Sequence, residues 1–431
     1  MTAIEWPPSL WAAVTPPGPS TPPPDGDLDI DTVVIGGGFT GLSTALHLAL
    51  QGVQVVVLEA VAPGWGASGR NNGQVIPTLT RPDPQDIIAR HGEAGERFVA
   101  LLRDSADYLF ELVRGQGLAA EAEQHGWVQP VHTPGRMKIA RRRVEQWSAQ
   151  GAPVELLSAA QITEKTGSTI WHGGFWNPQG GHVNPLALSR ELARAVIRAG
   201  GRVHGQTPAT RWQRDGAHWV VATPHGRVRA RRLMLATNAY TGEAVRSLAP
   251  DLAREVVPVL SWQMATRPLD ERQLKQVIPG RQAVSDTHGD LWFMRLDARQ
   301  RLVTGGALIV RTAGAARLRR RVGARLARIF PALRDIGFDH VWNGYIGMTT
   351  DFMPRLHRLG PDAYGWVGCN GRGVALAVAL GREFAQALQG TAPESLALPL
   401  TDPVPLPAHA LLRRLAPWRL MQYRLADGRE I

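Results

Sequence analysis

Three glycines early in the chain have the spacing of a phosphate-binding turn. They occur as Gly36-x-Gly38-x-x-Gly41, directly after an apolar, β-branched run and before a stretch with the composition of a helix. The first glycine permits a tight turn, the second lets the backbone approach a pyrophosphate, and the third lets the helix pack closely on the strand. Free N–H groups at the start of that helix, predicted at residues 42–50, favour the negative charge of phosphate. Phe39 and Thr40 within the motif are further cofactor-binding candidates. The spacing therefore predicts a dinucleotide site.

An acid and a second glycine-rich loop follow the first motif. Glu59 ends the next apolar run, roughly 20 residues past the glycines, where a carboxylate can accept bonds from ribose hydroxyls. A glycine-rich turn in an ordinary βαβ unit would leave this acid unexplained. The polar loop beyond it can be a surface loop, but its position favours cofactor contact, and Arg70 can neutralise a phosphate. The cofactor-binding candidates here are Ala60, Gly66, Ala67, Ser68, Arg70, Asn71, Asn72, Gly73 and Gln74.

A third glycine motif, at residues 369–374, lies near the C-terminus between an apolar run and a helix rich in small residues. The N-terminus of that helix can direct its dipole at a second part of a cofactor. A buried strand ending at residue 238 is also expected to approach the cofactor. The candidates from these two segments are Thr237, Asn238, Gly371, Arg372, Gly373 and Val374.

Two kinds of element are needed to position these motifs. Strands and helices alternate around the glycines and predict a parallel sheet, whereas the antiparallel strand signals between Val256 and Val310 predict a second domain. A chain of 431 residues is long enough for both. Residues 86–115 predict one long amphipathic helix, and residues 127–140 predict a hairpin that turns at Pro134-Gly135.

Composition narrows the class of protein. The hydrophobic fraction of 44% and the charged fraction of 20% are typical of a soluble globular protein. No apolar run reaches the length of about 18 residues that a transmembrane helix needs, and the N-terminus lacks the pattern of a secretory signal. A single cysteine, Cys369, fits a reducing compartment. These features predict a cytoplasmic protein.

The net charge of +11 raises the question of a nucleic-acid partner. The excess arginines are dispersed, with small clusters at residues 141–143 and 317–321, and such dispersion indicates a solvated surface more often than a binding stripe. We therefore disfavour nucleic acid. The sequence has no spacing of His, Cys and acidic residues typical of a metal site and no Ser–His–Asp motif, so we expect no metal.

Six segments together resemble a known family. GGGFTG, GWGASGRNNGQ, GGHVNP, LATNAYTG, GYIGMTTDFMP and GCNGRGV follow one another in the order seen in FAD-dependent amine oxidoreductases. This is the superfamily of D-amino-acid oxidase, glycine oxidase and sarcosine oxidase, and the chain looks most like its γ-glutamylputrescine oxidase group. The resemblance covers nearly the whole chain and is specific for the superfamily, but much less so for the substrate.

The resemblance implies an α/β fold in which an FAD-binding Rossmann-type βαβ domain is interleaved with an α+β substrate domain built on an antiparallel sheet. The implied division is a proline-rich arm at 1–29, an FAD-binding domain at 30–85, 156–255 and 340–395, a substrate domain at 86–155 and 256–339, and a tail with a docking helix at 396–431. We expect the tail helix to dock on the protein body or on a neighbouring subunit of a homo-oligomer, with a membrane surface as the alternative.

The resemblance also implies how FAD is held. The first glycines would bind the pyrophosphate, Glu59 the adenosine ribose, the second loop the ribityl and isoalloxazine half, and the third motif the pyrimidine edge. Where relatives often carry Ser-Gly-His-Gly, this chain has Asn370-Gly371-Arg372-Gly373, so Arg372 brings a permanent positive charge. Some relatives attach flavin through a cysteine in the segment that matches residues 345–350, and no cysteine occurs there. We therefore predict non-covalent FAD.

The implied reaction is oxidation of a small-molecule amine, with formal hydride transfer to flavin N5. The imine then hydrolyses to an aldehyde or keto acid, and oxygen is reduced to hydrogen peroxide unless another acceptor is used. Alternatives are a dehydrogenase, an FAD-dependent tRNA-modifying oxidoreductase (usually fused to a methyltransferase domain) and a flavin-bearing interaction protein without turnover. An NAD-dependent dehydrogenase would leave the later glycine motifs without a purpose.

Five residues are candidates for the catalytic site. Aromatic side chains can exclude water, and an arginine can bind a substrate carboxylate or stabilise charge on the flavin. The same residue types are as often core or surface. The candidates are Arg372, Trp262, Trp292, Arg295 and Tyr345.

Overall fold

The computed structural model describes residues 5–243, 245, 248–308 and 312–427. The helices of this part are α1 (Leu10–Val14), α2 (Phe39–Leu50), α3 (Pro84–His91), α4 (Glu93–Gly115), α5 (Met137–Ala149), α6 (Ala159–Thr166), α7 (Pro185–Arg198), α8 (Pro250–Glu255), α9 (Glu271–Leu274), α10 (Gly314–Ile329), α11 (Val374–Leu388) and α12 (His409–Asp427). Its strands are β1 (Leu28–Ile35), β2 (Val55–Leu58), β3 (Gln74–Val75), β4 (Trp127–Pro130), β5 (Glu155–Leu157), β6 (Gly174–Asn177), β7 (Gly181–His182), β8 (Arg202–His204), β9 (Arg211–Asp215), β10 (His218–Thr223), β11 (Gly226–Leu235), β12 (Val257–Pro268), β13 (Ala283–Ser285), β14 (Phe293–Leu296), β15 (Arg301–Gly306), β16 (Phe338–Met348), β17 (Arg355–Gly360), β18 (Ala363–Val367) and β19 (Leu400–Thr401).

The glycine motifs lie on a mainly parallel sheet. Its strands run in the order β19–β17–β18–β11–β1–β2–β8, and β9 and β10 extend it as an antiparallel meander on β11. β1 is buried on both faces: Val34 packs into the core that includes α2, α7 and α11, whereas Val33 and Ile35 pack into the core on the other face. Such two-sided burial explains the continuous apolar run in the sequence and confirms the predicted α/β layer.

The second sheet is mainly antiparallel, as predicted. Its order is β16–β12–β15–β14–β13–β4–β6–β5, and only the β13–β4 pair is parallel among the described residues. Residues Leu318, Val322 and Leu326 of α10 recur at helical spacing and are buried in the core of this sheet. A short two-stranded sheet, β3–β7, carries the end of the second glycine loop.

Strand pairing places three segments differently from the division inferred from sequence. Most of β5, together with β6 and most of β16, falls in stretches assigned to the FAD-binding domain, yet all three strands belong to the second sheet. β6 lies there because it pairs with both β4 and β5, and Phe175 packs against Trp127 with ring centroids 5.4 Å apart. The chain therefore passes between the sheets more often than the proposed boundaries allow.

Two local predictions were wrong. The helix expected at residues 86–115 is two helices, α3 and α4, because Gly92 between them has a φ of +57°. The hairpin expected at 127–140 does not form: β4 pairs with β6, and the chain continues through a 3₁₀ turn at Pro134–Arg136 into α5. Proline fits the first turn of a helix as well as it fits a hairpin turn.

Both terminal segments lie on the protein body. In the N-terminal arm, Leu10 and Trp11 of α1 are fully buried against Leu186 and Trp342. In the C-terminal tail, α12 packs near β12, and His409 Nε2 lies 2.7 Å from the carbonyl oxygen of Val256. None of the helices in the described ranges combines the length and apolar character needed to cross a membrane.

Candidate active site

The first glycine motif forms a turn in which side chains have no room. Gly36 has a φ of +109°, and a Cβ there would lie 2.9 Å from the carbonyl oxygen of Ala236. A Cβ on Gly38 would lie 2.8 Å from Ser68 Oγ, and one on Gly41 only 2.0 Å from the carbonyl oxygen of Gly36. Gly41 therefore serves the packing of α2 on β1, whereas Gly36 and Gly38 line a cavity.

The start of α2 faces the same cavity. Phe39 and Thr40 line it, and the N–H of Phe39 donates to Ser68 Oγ at 3.0 Å. This bond ties the first glycine motif to the second loop. A helix N-terminus at a cavity is suited to phosphate, because its N–H groups and its dipole attract negative charge.

Glu59 is held by the backbone around it. Its Oε2 accepts the N–H of Gly37 at 2.7 Å, and its Oε1 accepts the N–H of Val61 at 3.0 Å. Burial raises the pKa of the Glu59 carboxyl, and the N–H groups of Val61, Gly37 and Ala60 oppose that shift. A carboxylate fixed in this way keeps lone pairs for further donors such as ribose hydroxyls, and both Glu59 and Ala60 line the cavity.

The second loop is held from behind by three side chains. The carbonyls of residues 70, 71 and 72 accept bonds from Trp342 Nε1 at 2.8 Å, Trp11 Nε1 at 2.8 Å and Arg295 Nε at 2.9 Å. One donor comes from the N-terminal arm and two from the second sheet. Buried carbonyls need hydrogen-bond partners, and these three donors supply them, so the loop is fixed on the side that faces the protein. The opposite side of the loop lines the cavity.

The side chains of this loop also make internal contacts. Asn71 Oδ1 accepts the N–H of Gly73 at 2.7 Å, and the Gln74 amide donates to two carbonyls of the second sheet at 3.0 and 3.1 Å. Arg70 Nη2 donates to the hydroxyl of Tyr240 at 2.5 Å. The guanidinium of Arg70 is thus committed to Tyr240, although it lines the cavity.

The third glycine motif joins β18 to α11. Its Arg372 is buried: Nη1 donates to Thr78 Oγ1 at 2.5 Å and to the carbonyl oxygen of Leu79 at 2.8 Å, and the guanidinium lies 4.7 Å from the centre of the Trp127 ring. Nε and Nη2 have no hydrogen-bond partner among the described residues. Burial, followed by repulsion from Arg143, lowers the pKa of Arg372. A buried guanidinium with two free donors beside a cavity is suited to an anionic or carbonyl group of a ligand.

A cavity of about 1020 Å³ connects these parts with the second sheet. It is at the upper end of the range for small-molecule sites. Apart from Gly41, every cofactor-binding candidate lines it, namely Gly36, Gly38, Phe39, Thr40, Glu59, Ala60, Gly66, Ala67, Ser68, Arg70, Asn71, Asn72, Gly73, Gln74, Thr237, Asn238, Gly371, Arg372, Gly373 and Val374.

Of the five catalytic candidates, Tyr345 and Arg372 line the cavity. Arg295 does not: it is fully buried, its other two nitrogens donate to the carbonyls of Val183 and Leu296, and its guanidinium lies over the Trp11 ring. Burial lowers its pKa to about 10, so it stays charged at neutral pH. The guanidinium is committed to three carbonyls of the protein and does not line the cavity.

Trp262 and Trp292 are also absent from the cavity wall. On β12, Ser261 and Gln263 line the cavity, and Trp262 between them points to the other face, as the period of a strand requires. Trp292 stacks on His288 with ring centroids 3.9 Å apart and packs against the core of the second sheet, whereas its neighbour Phe293 lines the cavity.

Sequence reasoning missed several residues of the cavity wall. They are Tyr240, Ser261, Gln263, Asp290, Phe293 and, from α12, Arg413, Trp418, Arg419 and Tyr423. Strand alternation groups Ser261 and Gln263 on the face opposite Trp262, but it does not indicate which of the two faces meets the cavity. No local signal indicated that α12, far along the chain, reaches the cavity.

We call the cavity wall formed by the first glycine motif, Glu59 and the second loop (residues 66–74) the glycine cradle. The fold and this cradle define a dinucleotide-binding protein of the α/β type. The family model "FAD dependent oxidoreductase" matches residues 31–387. γ-Glutamylputrescine oxidoreductase of Escherichia coli K12 is 32% identical over 385 residues, which are 89% of this chain and 89% of that protein. The chain therefore belongs to the FAD-dependent oxidoreductase family, and its cofactor is FAD.

Two solved structures share the fold. Glycine oxidase from Geobacillus kaustophilus aligns with a TM-score of 0.71 at 19% identity, over 85% of this chain and 96% of that one. L-proline dehydrogenase from P. horikoshii aligns with a TM-score of 0.70 at 20% identity, over 85% of this chain and 95% of that one.

Proposed function

We propose that the protein oxidises a primary or secondary amine, such as an amino acid, a polyamine derivative or a γ-glutamylputrescine-like compound, at the carbon next to nitrogen. The observation that carries this proposal is the continuity of the cavity, which runs from the glycine cradle to Gln263, Phe293 and Tyr345 of the second sheet. FAD held by the glycine motifs would supply the two-electron acceptor for a formal hydride from that carbon. The curated relative with 32% identity is named for γ-glutamylputrescine, which supports an amine substrate.

The residues of the cradle fit FAD. The absence of room for a Cβ at Gly38 allows close backbone approach to a pyrophosphate. Glu59 would hold the adenosine ribose, and the loop from Ser68 to Gly73 would lie along the ribityl and isoalloxazine half. Arg372 has two buried donors without a protein partner among the described residues, and a carbonyl or anionic edge of the ring would satisfy them.

Tyr240 is our candidate for orienting the substrate. Its hydroxyl oxygen accepts bonds from Arg70 Nη2 at 2.5 Å and from the N–H of Tyr345 at 3.3 Å. Because both bonds use the oxygen, its own hydrogen remains available for donation into the cavity. Burial raises the pKa of the Tyr240 hydroxyl despite the opposing effect of Arg70, so it stays protonated at neutral pH.

Charge in the cavity favours the reactive form of the substrate. An amine must be neutral before it loses a hydride, and positive groups disfavour the ammonium form. Arg70 and Arg372 both line the cavity and would supply positive charge. Of the acids that also line it, Glu59 is bound by backbone N–H groups and Asp290 is paired with Arg321 and Arg424. The N-terminus of α11, at Val374, adds to the positive charge and stabilises negative charge that develops nearby.

We propose that the flavin is bound without a covalent bond. Cys369 lines the cavity, but burial raises the pKa of its thiol, so the nucleophilic thiolate is scarce. Acid precipitation should release all yellow colour into the supernatant. Colour that remained on the precipitated protein would overturn this proposal.

The first experiment is an anaerobic titration of the purified yellow protein with γ-glutamylputrescine, polyamines, N-methyl amino acids and D-amino acids. We expect one class to bleach the flavin band at about 450 nm. Admission of oxygen would then distinguish an oxidase, whose colour returns with hydrogen peroxide, from a dehydrogenase that needs another acceptor. A fully loaded flavin that no amine bleaches would contradict the proposal and favour the tRNA alternative, for which a gel shift with bulk tRNA is the direct measurement.

A further inference from the structure

Large exposed hydrophobic side chains are concentrated on α12. Nine such side chains occur among the described residues, and five of them are on this one helix. They are between 39% and 55% exposed and are Leu411, Leu415, Trp418, Met421 and Leu425. Their spacing of three and four residues places them on one face, which we call the α12 stripe. At 1.5 Å per residue, the stripe is about 21 Å long.

The inner side of α12 is already fixed to the protein. Arg424 donates to Asp290 at 2.9 Å and to the carbonyl oxygen of Ala307 at 2.6 Å. The carboxylate of Asp427 accepts the N–H of Gly289 at 2.9 and 3.0 Å. The helix therefore has its partner on one side, whereas the α12 stripe remains exposed, and its members Leu411, Met421 and Leu425 do not line the cavity. A contiguous exposed apolar surface of this kind marks an interaction site.

Charge identifies the kind of partner. α12 carries four arginines, of which Arg413 pairs with Glu243 at 2.7 Å and Arg424 with Asp290. Arg414 and Arg419 have no ion pair among the described residues, and the one acid of the helix, Asp427, is bound to Gly289. A second copy of the chain packed along the stripe would bring arginines together with no exposed acid on the helix to pair them, whereas stable helix pairs use opposite charges beside the seam. The chain as a whole has a net charge of +11. An anionic surface with an apolar interior complements both features.

We propose that α12 docks the protein on the surface of a membrane that contains anionic lipid. The α12 stripe enters the boundary between headgroups and acyl chains, and Arg414 and Arg419 contact lipid phosphates. Leu415 and Trp418 belong both to the stripe and to the wall of the cavity. Docking would therefore bring this part of the cavity wall to the lipid surface. This surface role does not depend on which substrate the protein oxidises.

The test is co-sedimentation of the yellow holoprotein with phosphatidylcholine vesicles, with and without phosphatidylglycerol. We expect binding to the vesicles that contain phosphatidylglycerol, weakened by salt, and little binding to phosphatidylcholine alone. The double variant Leu411→Glu/Leu425→Glu changes two stripe residues that do not line the cavity, and it should lower vesicle binding at least tenfold. Arg414→Gln should lower it about fivefold.

The matched control is Leu156→Glu/Ile197→Glu, which adds the same charge at two exposed apolar residues elsewhere. It should change vesicle binding less than twofold, and flavin absorbance should show that both double variants are folded. Failure of the wild type to bind anionic vesicles, equal binding to both lipids, or an equal loss in the control would overturn the proposal. So would light scattering that found a dimer which the stripe variant converts to a monomer, since the stripe would then bind a second copy.

Discussion

The two ends of the cavity are formed by different parts of the chain. Main-chain groups of the glycine cradle form one end (the backbone end), and side chains of the second sheet form the other (the side-chain end). At the backbone end, the main chain forms the surface. Glycines that have no room for a Cβ let the backbone line the cavity, and Glu59 is fixed by the N–H groups of Gly37 and Val61. At the other end, side chains from β12, β14 and β16 meet Tyr240 and α12. A backbone site tolerates little change, whereas a side-chain site can change without loss of the fold. Solved structures of a glycine oxidase and an L-proline dehydrogenase share the fold, which agrees with this contrast.

The largest expected effect comes from adding one methyl group at the backbone end. In Gly41→Ala, the Cβ would lie 2.0 Å from the carbonyl oxygen of Gly36, and backbone must move to relieve the clash. We expect a loss of roughly 3 kcal/mol in the free energy of unfolding and a protein that purifies without flavin. Absorbance at purification and urea unfolding measure the two effects.

The control for this variant is Gly115→Ala, at the end of α4, where an added Cβ meets nothing within 4 Å. It should keep its flavin and its stability. A yellow Gly41→Ala protein with wild-type stability would show that the cradle can adapt, and the contrast between the two ends would fail.

The second prediction concerns Arg295, which lies in the second sheet but serves the cradle loop. Arg295→Gln removes the charged donor to the carbonyl of Asn72, and a bond to a charged group contributes about 2 kcal/mol. We therefore expect the Kd for FAD to rise roughly 30-fold. With FAD in saturating excess, KM for the amine should stay within twofold of wild type.

Arg299→Gln is the matched control, because Arg299 is exposed and only four residues away. It should leave both the FAD Kd and KM unchanged. If Arg295→Gln instead raised KM and left flavin binding intact, Arg295 would be a substrate residue after all, as the sequence had suggested.

The third prediction affects only the side-chain end. Tyr240→Phe removes the hydroxyl that accepts bonds from Arg70 and from the N–H of Tyr345. We expect kcat/KM to fall about tenfold, the equivalent of one hydrogen bond of about 1.4 kcal/mol, with the FAD Kd unchanged. Tyr345→Phe keeps its backbone N–H and should have a smaller effect. Equal effects in the two variants would assign the substrate contact to Tyr345.

The same contrast explains what could be predicted from the sequence. The spacing of Gly36, Gly38 and Gly41 encodes a backbone shape, and the terminal Glu59 belongs to the same local unit, so the cradle was visible in one short stretch. The wall of the substrate end was not. Ser261 and Gln263 line the cavity while the more conspicuous Trp262 points away, because side-chain direction on a strand depends on register, which composition does not reveal.

Contacts between residues that are far apart in the chain also limited what could be predicted from the sequence. Arg295 was assigned to substrate because of its residue type, but its carbonyl partners lie 223 and 112 residues away at Asn72 and Val183. The break at Gly92 had a local signal, since a glycine within a helical pattern lowers the case for one continuous helix. The pairing of β4 with β6 had none, because proline and glycine at 134–135 fit a hairpin and a helix start equally well.

The smallest expected effect concerns the loss of stability at low pH and which end of the cavity is responsible for it. Burial, followed by repulsion from Arg382, lowers the pKa of His47 on α2 from 6.5 to about 4. In the unfolded chain His47 binds a proton near pH 6.5, whereas in the folded chain it does so only near pH 4. The contribution of neutral His47 to the free energy of unfolding is therefore complete above pH 6.5 and is lost as the pH falls from 6.5 to about 4. A shift of this size corresponds to about 3 kcal/mol, and because the ring is partly exposed, we expect a loss of about 1 kcal/mol in the free energy of unfolding.

The test is urea unfolding of His47→Gln at a series of pH values. Between pH 6.5 and 4 its free energy of unfolding should fall less than that of wild type, and it should release flavin more slowly, whereas the exposed-site variant His225→Gln should behave as wild type. An unchanged acid profile in His47→Gln would mean that the cradle is not the acid-sensitive end.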